Sequence, residues 1–191
     1  MKFTQLERDS GPVEGLHYTR RILPALIAGG IAIAVNTILL AAADWIPLVT
    51  AHGGLLKLLT TYLARPVLSI GLGELWSNLG LPSPANHVFQ TGFHVVVGLA
   101  MAVLYALAFE PLLTGDAWKK GLIYAFFVWL ANAFVVLPWI GEGIAGSRSL
   151  EAAGMIYFAA AHTIFFVLMA VLYSNLASRC DQIIDRQNRS V

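Results

Sequence analysis

The chain has 191 residues, of which 58% are hydrophobic and only 12% charged, with a formal net charge of +1; its mean hydropathy is +0.70. A soluble domain carries about 25% charged residues, so much of this surface expects lipid, and the near-neutral balance gives no hint of nucleic acid or an acidic substrate. The lone Cys180 excludes an intramolecular disulfide and a cysteine-based metal cluster.

In chain order, residues 1–21 form a polar tail containing Gly11-Pro12, and residues 22–43 form the first apolar segment. A cleaved signal peptide is the alternative for this segment, because Arg20-Arg21 precede it and Ala41-Ala42-Ala43 end it. The apolar run is longer than a signal core, and Glu7, Asp9 and Glu14 in the tail disfavour that reading. Residues 44–84 are a long connection. Within it GGLLKLLTTYLARP sets Leu55, Leu58, Leu59 and Tyr62 on one helical face, with Lys57, Thr60, Thr61 and Arg65 away from it. The pattern predicts an amphipathic helix over 53–65 lying in the outer membrane interface, ended by Pro66. The stretch VLSIGLGELWSNLGLP that follows is broken by Gly71, Gly73 and Glu74 and is too short to span, so it is interfacial or shallowly re-entrant.

Three further apolar segments occupy 85–110, 118–140 and 151–176, with an outer loop at 141–150 and a polar tail at 177–191. Runs of about 18 or more uncharged residues match a ~30 Å hydrocarbon layer. The expected fold is therefore all-α, an integral membrane bundle of four helices. With the N-terminus inside, nine Lys and Arg residues fall on the cytoplasmic side and three (Lys57, Arg65, Arg148) on the other, which predicts both termini in the cytoplasm. Trp45, Trp76 and Trp139 then mark the outer interface and Trp118 the inner one.

The pentapeptide MAVLY occurs at 101–105 and again at 169–173, and in both copies a histidine, His94 or His162, stands seven residues before its Met. The first and third segments each follow a basic pair, carry one Asn (Asn36, Asn132) and end near Trp-Ile. This suggests two parallel helical hairpins, the first enlarged by the 44–84 insertion, related by an axis along the membrane normal. Chance recurrence among apolar helices is the competing explanation. At 1.5 Å per residue, Asn36, Asn132, His94 and His162 all lie roughly 18–24 Å above the inner boundary. They are expected to form one polar layer in the bundle centre.

His94 and His162 are the sharpest candidates. Imidazoles on facing helices bind metal, ligate haem from both sides, or exchange protons near neutral pH; the plainer alternative is interhelical hydrogen bonding that only supports packing. His87, Gln90 or Thr91, and His94 share a face and outline a polar trail toward His94 from the outer surface. Gly98 and Ala102, and Ala25 and Gly29, have the small-xxx-small spacing of close helix packing. GEGIAG at 141–146 fits G-x-G-x-x-G but follows an apolar helix rather than a strand, which excludes the dinucleotide fingerprint and leaves a turn. There is no H-E-x-x-H, Walker lysine loop or G-x-S-x-G, and no visible catalytic constellation.

The stretches FHVVVGLAMAVLYALAFEP, WKKGLIYAFFVWLANAFVVLPWIGEG and Tyr157–Tyr173 resemble the small bacterial four-helix inner-membrane proteins of the YagU-like kind, over about the last half of the chain. That resemblance implies a bacterial inner-membrane location and carries no residue roles. Three functional readings follow. The first is a non-enzymatic membrane protein whose His/Asn layer serves packing or binds a small or lipid-like ligand. The second is a small transporter or proton-linked permease using His94 and His162. The third is a haem or metal redox protein ligated by the same pair. The bilayer is the expected partner, with a homo-oligomer or a partner membrane protein left open.

Overall fold

The structure, a computed structural model, describes residues 13–46, 56, 74, 78–80 and 86–189. The amphipathic helix expected over 53–65 lies outside the described residues except for Leu56, which is helical and buried.

Among the described residues four long helices make the fold, an all-α bundle. Helix α1 spans Val13–Trp45. Helix α2 spans His87–Leu104 and runs on through a π turn, Tyr105–Phe109, and a last turn, Glu110–Leu112. Helix α3 spans Ala117–Ala131, with a π turn at Asn132–Val136 and a last turn at Leu137–Trp139. Helix α4 spans Ala152–Arg189. Each holds a stretch long and apolar enough to cross a membrane: Arg20–Ala43, His87–Leu112, Ala117–Trp139 and Ala152–Cys180. The outward faces are those of a lipid-exposed protein, with Ile38, Val96, Phe126 and Ile156 all more than half exposed. Trp45 and Trp139 are exposed at one end of the bundle and Trp118 at the other. Helices α1 and α4 extend past these stretches, through 13–19 and 181–189, and no Gly or Pro between 177 and 189 interrupts α4.

Both π turns have the same local cause. Pro111 and Pro138 stand six residues after Tyr105 and Asn132, the first residues of the two turns. A proline ring clashes with the carbonyl four residues back and cannot donate to it. The helix widens instead, and the amides of Glu110 and Leu137 donate to the carbonyls of Tyr105 and Asn132, five residues back.

Helix α1 packs against α2 and α4, and α4 also packs against α3. The contacts of Ile33 with Gly98 and of Asn36 with Ala161 make α1 antiparallel to both neighbours. Helices α2 and α4 are therefore parallel and diagonal, and the two MAVLY copies face each other: the rings of Tyr105 and Tyr173 meet edge to face at 5.9 Å. Glycines set the close approaches. A Cβ on Gly29 would lie 2.5 Å from the Cβ of Ala102, and one on Gly121 would lie 2.8 Å from the Val167 backbone and 3.1 Å from the Cβ of Ala170.

One half of the bundle is filled by aromatic side chains. Tyr105 and Tyr124 are fully buried, and Phe109, Phe166 and Tyr173 pack around them. An ion pair secures this end: Lys120 Nζ donates to Glu110 Oε1 at 2.7 Å, and Tyr105 Oη donates to Glu110 Oε2 at 2.6 Å. Glu110 and Lys120 are largely buried, unlike the solvated Lys119–Asp116 pair, which contributes little to stability.

Gly121→Leu should force α3 off the α4 backbone, lowering stability in detergent by about 1–3 kcal/mol. Gly30→Leu, at a site with nothing within 4 Å of the added Cβ, should leave the unfolding midpoint nearly unchanged. Equal midpoints for the two variants would contradict the assigned packing.

Candidate functional site: a polar cavity between the helices

Asn36 is the buried polar residue of the described core, 1% exposed. Its Nδ2 donates to the Ala161 carbonyl of α4 at 3.0 Å, and its Oδ1 lies 3.0 Å from Nε2 of His94 on α2. One amide thus ties three helices. The orientation of the amide follows from chemistry: the reverse would set its oxygen against the Ala161 oxygen, two acceptors facing each other. Because Asn36 Oδ1 only accepts, His94 Nε2 carries the proton and donates.

His162 faces His94 with ring centroids 6.5 Å apart and planes at 78°. Its Nδ1 lies 2.9 Å from the Phe158 carbonyl and is therefore protonated. The Phe158 ring covers it at 4.1 Å. The diagonal His94/His162 contact thus stands on the same pair of helices as the Tyr105/Tyr173 contact, eleven residues earlier in each.

Beyond the aromatic half the bundle is hollow. A cavity of about 390 Å³ is lined by all four helices and by Leu56. Its walls are mostly apolar, among them Ile33, Leu40, Val97, Val128, Val136 and Phe165. Its polar lining comes from Asn36, Thr37, His87, Gln90, Thr91, His94, Asn132, His162 and Thr163, with no charged side chain among the described residues. His87 and Gln90 are exposed at the start of α2, and Thr91 Oγ1 lies 3.4 Å from His87 Nδ1.

The structure thus brings together His94, His162 and Asn36. Asn132 lines the same cavity, but its side chain makes no hydrogen bond among the described residues. Counting from the basic pairs sets Asn36 and Asn132 nearly level. The packing register does not: Asn36 is seven residues beyond Gly29, whereas Asn132 is eleven beyond Gly121, a difference of about one turn, or ~6 Å. Asn132 also opens a π turn, which shifts the register of the residues that follow it. The Tyr105–Glu110–Lys120 cluster was not expected from the sequence. Its signal was a Glu-Pro pair ending an apolar helix with Lys119-Lys120 opening the next, a hairpin that brings opposite charges together.

The glycine-rich stretch 141–146 is a turn. Gly141, Gly143 and Gly146 have positive φ, Arg148 Nη1 donates to the Gly141 carbonyl at 3.4 Å, and no strand precedes it among the described residues.

No known protein family matches the chain, and neither a curated protein nor a solved structure matches it.

The Asn36–His94 bond should appear as a positive coupling in a double-mutant cycle of Asn36→Ala and His94→Ala. The expected coupling is about 0.6 kcal/mol, with ~1.7 kcal/mol as the upper range for such bonds in membranes. Reversible unfolding in mixed micelles measures it, and strictly additive effects would contradict the bridge.

Proposed function

We propose that this is a non-enzymatic integral membrane protein that holds a small or lipid-like ligand in the cavity between its helices. The observation that carries the reading is the cavity itself. At about 390 Å³ it falls within the ~300–1,000 Å³ of small-molecule sites, which pair apolar walls with a few placed polar groups. A layer serving only packing has no need of such a space. We place the protein in the bacterial cytoplasmic membrane, with both termini in the cytoplasm and the His94 layer in the outer half of the bilayer. The lysine and arginine asymmetry and the resemblance to YagU-like proteins support that placement.

The proton-linked permease draws support from the polar trail His87, Gln90, Thr91 and His94 along the cavity wall. It would also need a path past the buried Tyr105 and Tyr124, and that end of the bundle is filled. The metal or haem reading has two imidazoles to draw on, with no group of three or more His, Cys, Asp or Glu placed to hold a metal ion among the described residues.

Val97→Trp places a large side chain in the cavity while leaving Asn36, His94 and His162 unsubstituted. Native mass spectrometry of gently purified protein should show a bound lipophilic mass in the wild type and its loss in this variant. An unliganded wild type that gains no stability from added lipids would contradict the reading. For topology, Ser147→Cys in a Cys180→Ala background should react with an impermeant maleimide in intact cells. Labelling only after the cells are opened would reverse the assigned orientation.

A further inference from the structure

At the level of the two imidazoles the hydrogen-bonding character of the cavity is lopsided, and this narrows what that layer accepts. A neutral imidazole has one donor and one acceptor nitrogen. His94 spends its donor on Asn36 and His162 spends its donor on the Phe158 carbonyl. His94 Nδ1 and His162 Nε2 are left as acceptors, with no protein donor among the described residues. The two threonines in this layer behave alike: Thr37 Oγ1 donates to the Ile33 carbonyl and Thr163 Oγ1 to the Ala159 carbonyl, both at 2.8 Å. Each hydroxyl therefore offers the cavity its lone pairs. Among the described residues no carboxylate lines the cavity to hold an imidazolium, and no Lys or Arg lines it to hold an anion.

From this we infer that the cavity selects neutral lipophiles whose head group donates hydrogen bonds, that is, hydroxyl-bearing molecules such as a lipid alcohol or a quinol, received by His94 Nδ1 and His162 Nε2. The inference rests on the ligand-cavity reading and adds the chemistry of the head group. Against the two imidazoles a ketone, ester or ether head would bring an acceptor to acceptors; the lining's amide donors, on Asn132 and Gln90, stand apart from that pair. An anionic head would meet lone pairs at the imidazoles and no countercharge among the described residues. A hydroxyl satisfies one ring directly, and two hydroxyls or a bridging diol satisfy both.

The test uses the full-length protein in detergent and matched probes, with binding read by ligand-induced thermal stabilisation and native mass spectrometry. Farnesol is compared with farnesyl methyl ether, and decylhydroquinone with decylquinone. The hydroxyl member of a pair should bind about tenfold more tightly, the ratio that corresponds to one hydrogen bond of ~1.4 kcal/mol. In His162→Phe, which keeps the Asn36–His94 bridge and the shape of the ring, the preference should shrink severalfold while binding of the ether or quinone persists. Tighter binding of farnesol than of the hydroquinone would identify a lipid alcohol as the source, and the reverse order a quinol; either supports the inference. Equal binding within both pairs would overturn it and leave the ligand-cavity reading standing. Absence of binding by all four probes would overturn both. Should His162→Phe fail to fold, His162→Leu, which also removes the acceptor, serves instead: a folded Leu variant that keeps the full hydroxyl preference would likewise overturn the inference.

Discussion

The buried amide of Asn36 is the constraint on which this bundle is organised. In the middle of a bilayer there is no water to satisfy a polar side chain, and an unpaired one costs several kcal/mol. Asn36 resolves this by donating to the α4 backbone at Ala161 and accepting from His94 on α2. The two bonds set the relative heights of three helices. They also decide the tautomer of His94, and so the chemical face that the imidazole presents to the cavity beside it. His94 is in this sense both a structural tie and part of the cavity wall.

The two halves of the bundle solve different problems. Toward Glu110 and Lys120 the helices close on glycine contacts and large aromatic rings, and the tyrosine hydroxyls find partners in Glu110 and the Met101 carbonyl. Toward the glycine-rich turn the same four helices enclose space. Helices α2 and α3 approach each other at the filled end through the first π turn, and the second π turn, opening at Asn132, lies in the cavity wall. Prolines that cannot join a regular helix thus shape both the closed and the hollow end.

Much of this architecture was legible in the chain. Four apolar runs without charges announce four helices of spanning length because lipid permits little else. The spacing of His94 and His162 before identical pentapeptides pointed to facing positions, since parallel diagonal helices bring equal registers together. The Gly29, Gly98 and Ala102 spacing likewise announced a close contact, which Ile33 completes. What the sequence did not reveal has physical reasons. The Ala161 carbonyl that Asn36 uses is a backbone group with no residue signature. The height of Asn132 depends on how α3 is set against its neighbours, which a count of 1.5 Å per residue ignores. The burial of Glu110 depends on a hairpin folding back onto Lys120, whereas a carboxylate at a helix end reads as solvated. The cavity is a gap lined by all four helices, and composition and period do not encode such a gap.

The central claim is that His94 and His162 wall a ligand cavity instead of a dry polar contact. A high-resolution cryo-electron microscopy reconstruction of the protein purified in lipid nanodiscs tests it most directly. Elongated density is expected between α1, α2, α3 and α4, with its head within about 3 Å of His94 Nδ1 or His162 Nε2. A collapsed space filled by neighbouring side chains, with the two imidazoles bonded to each other, would contradict it.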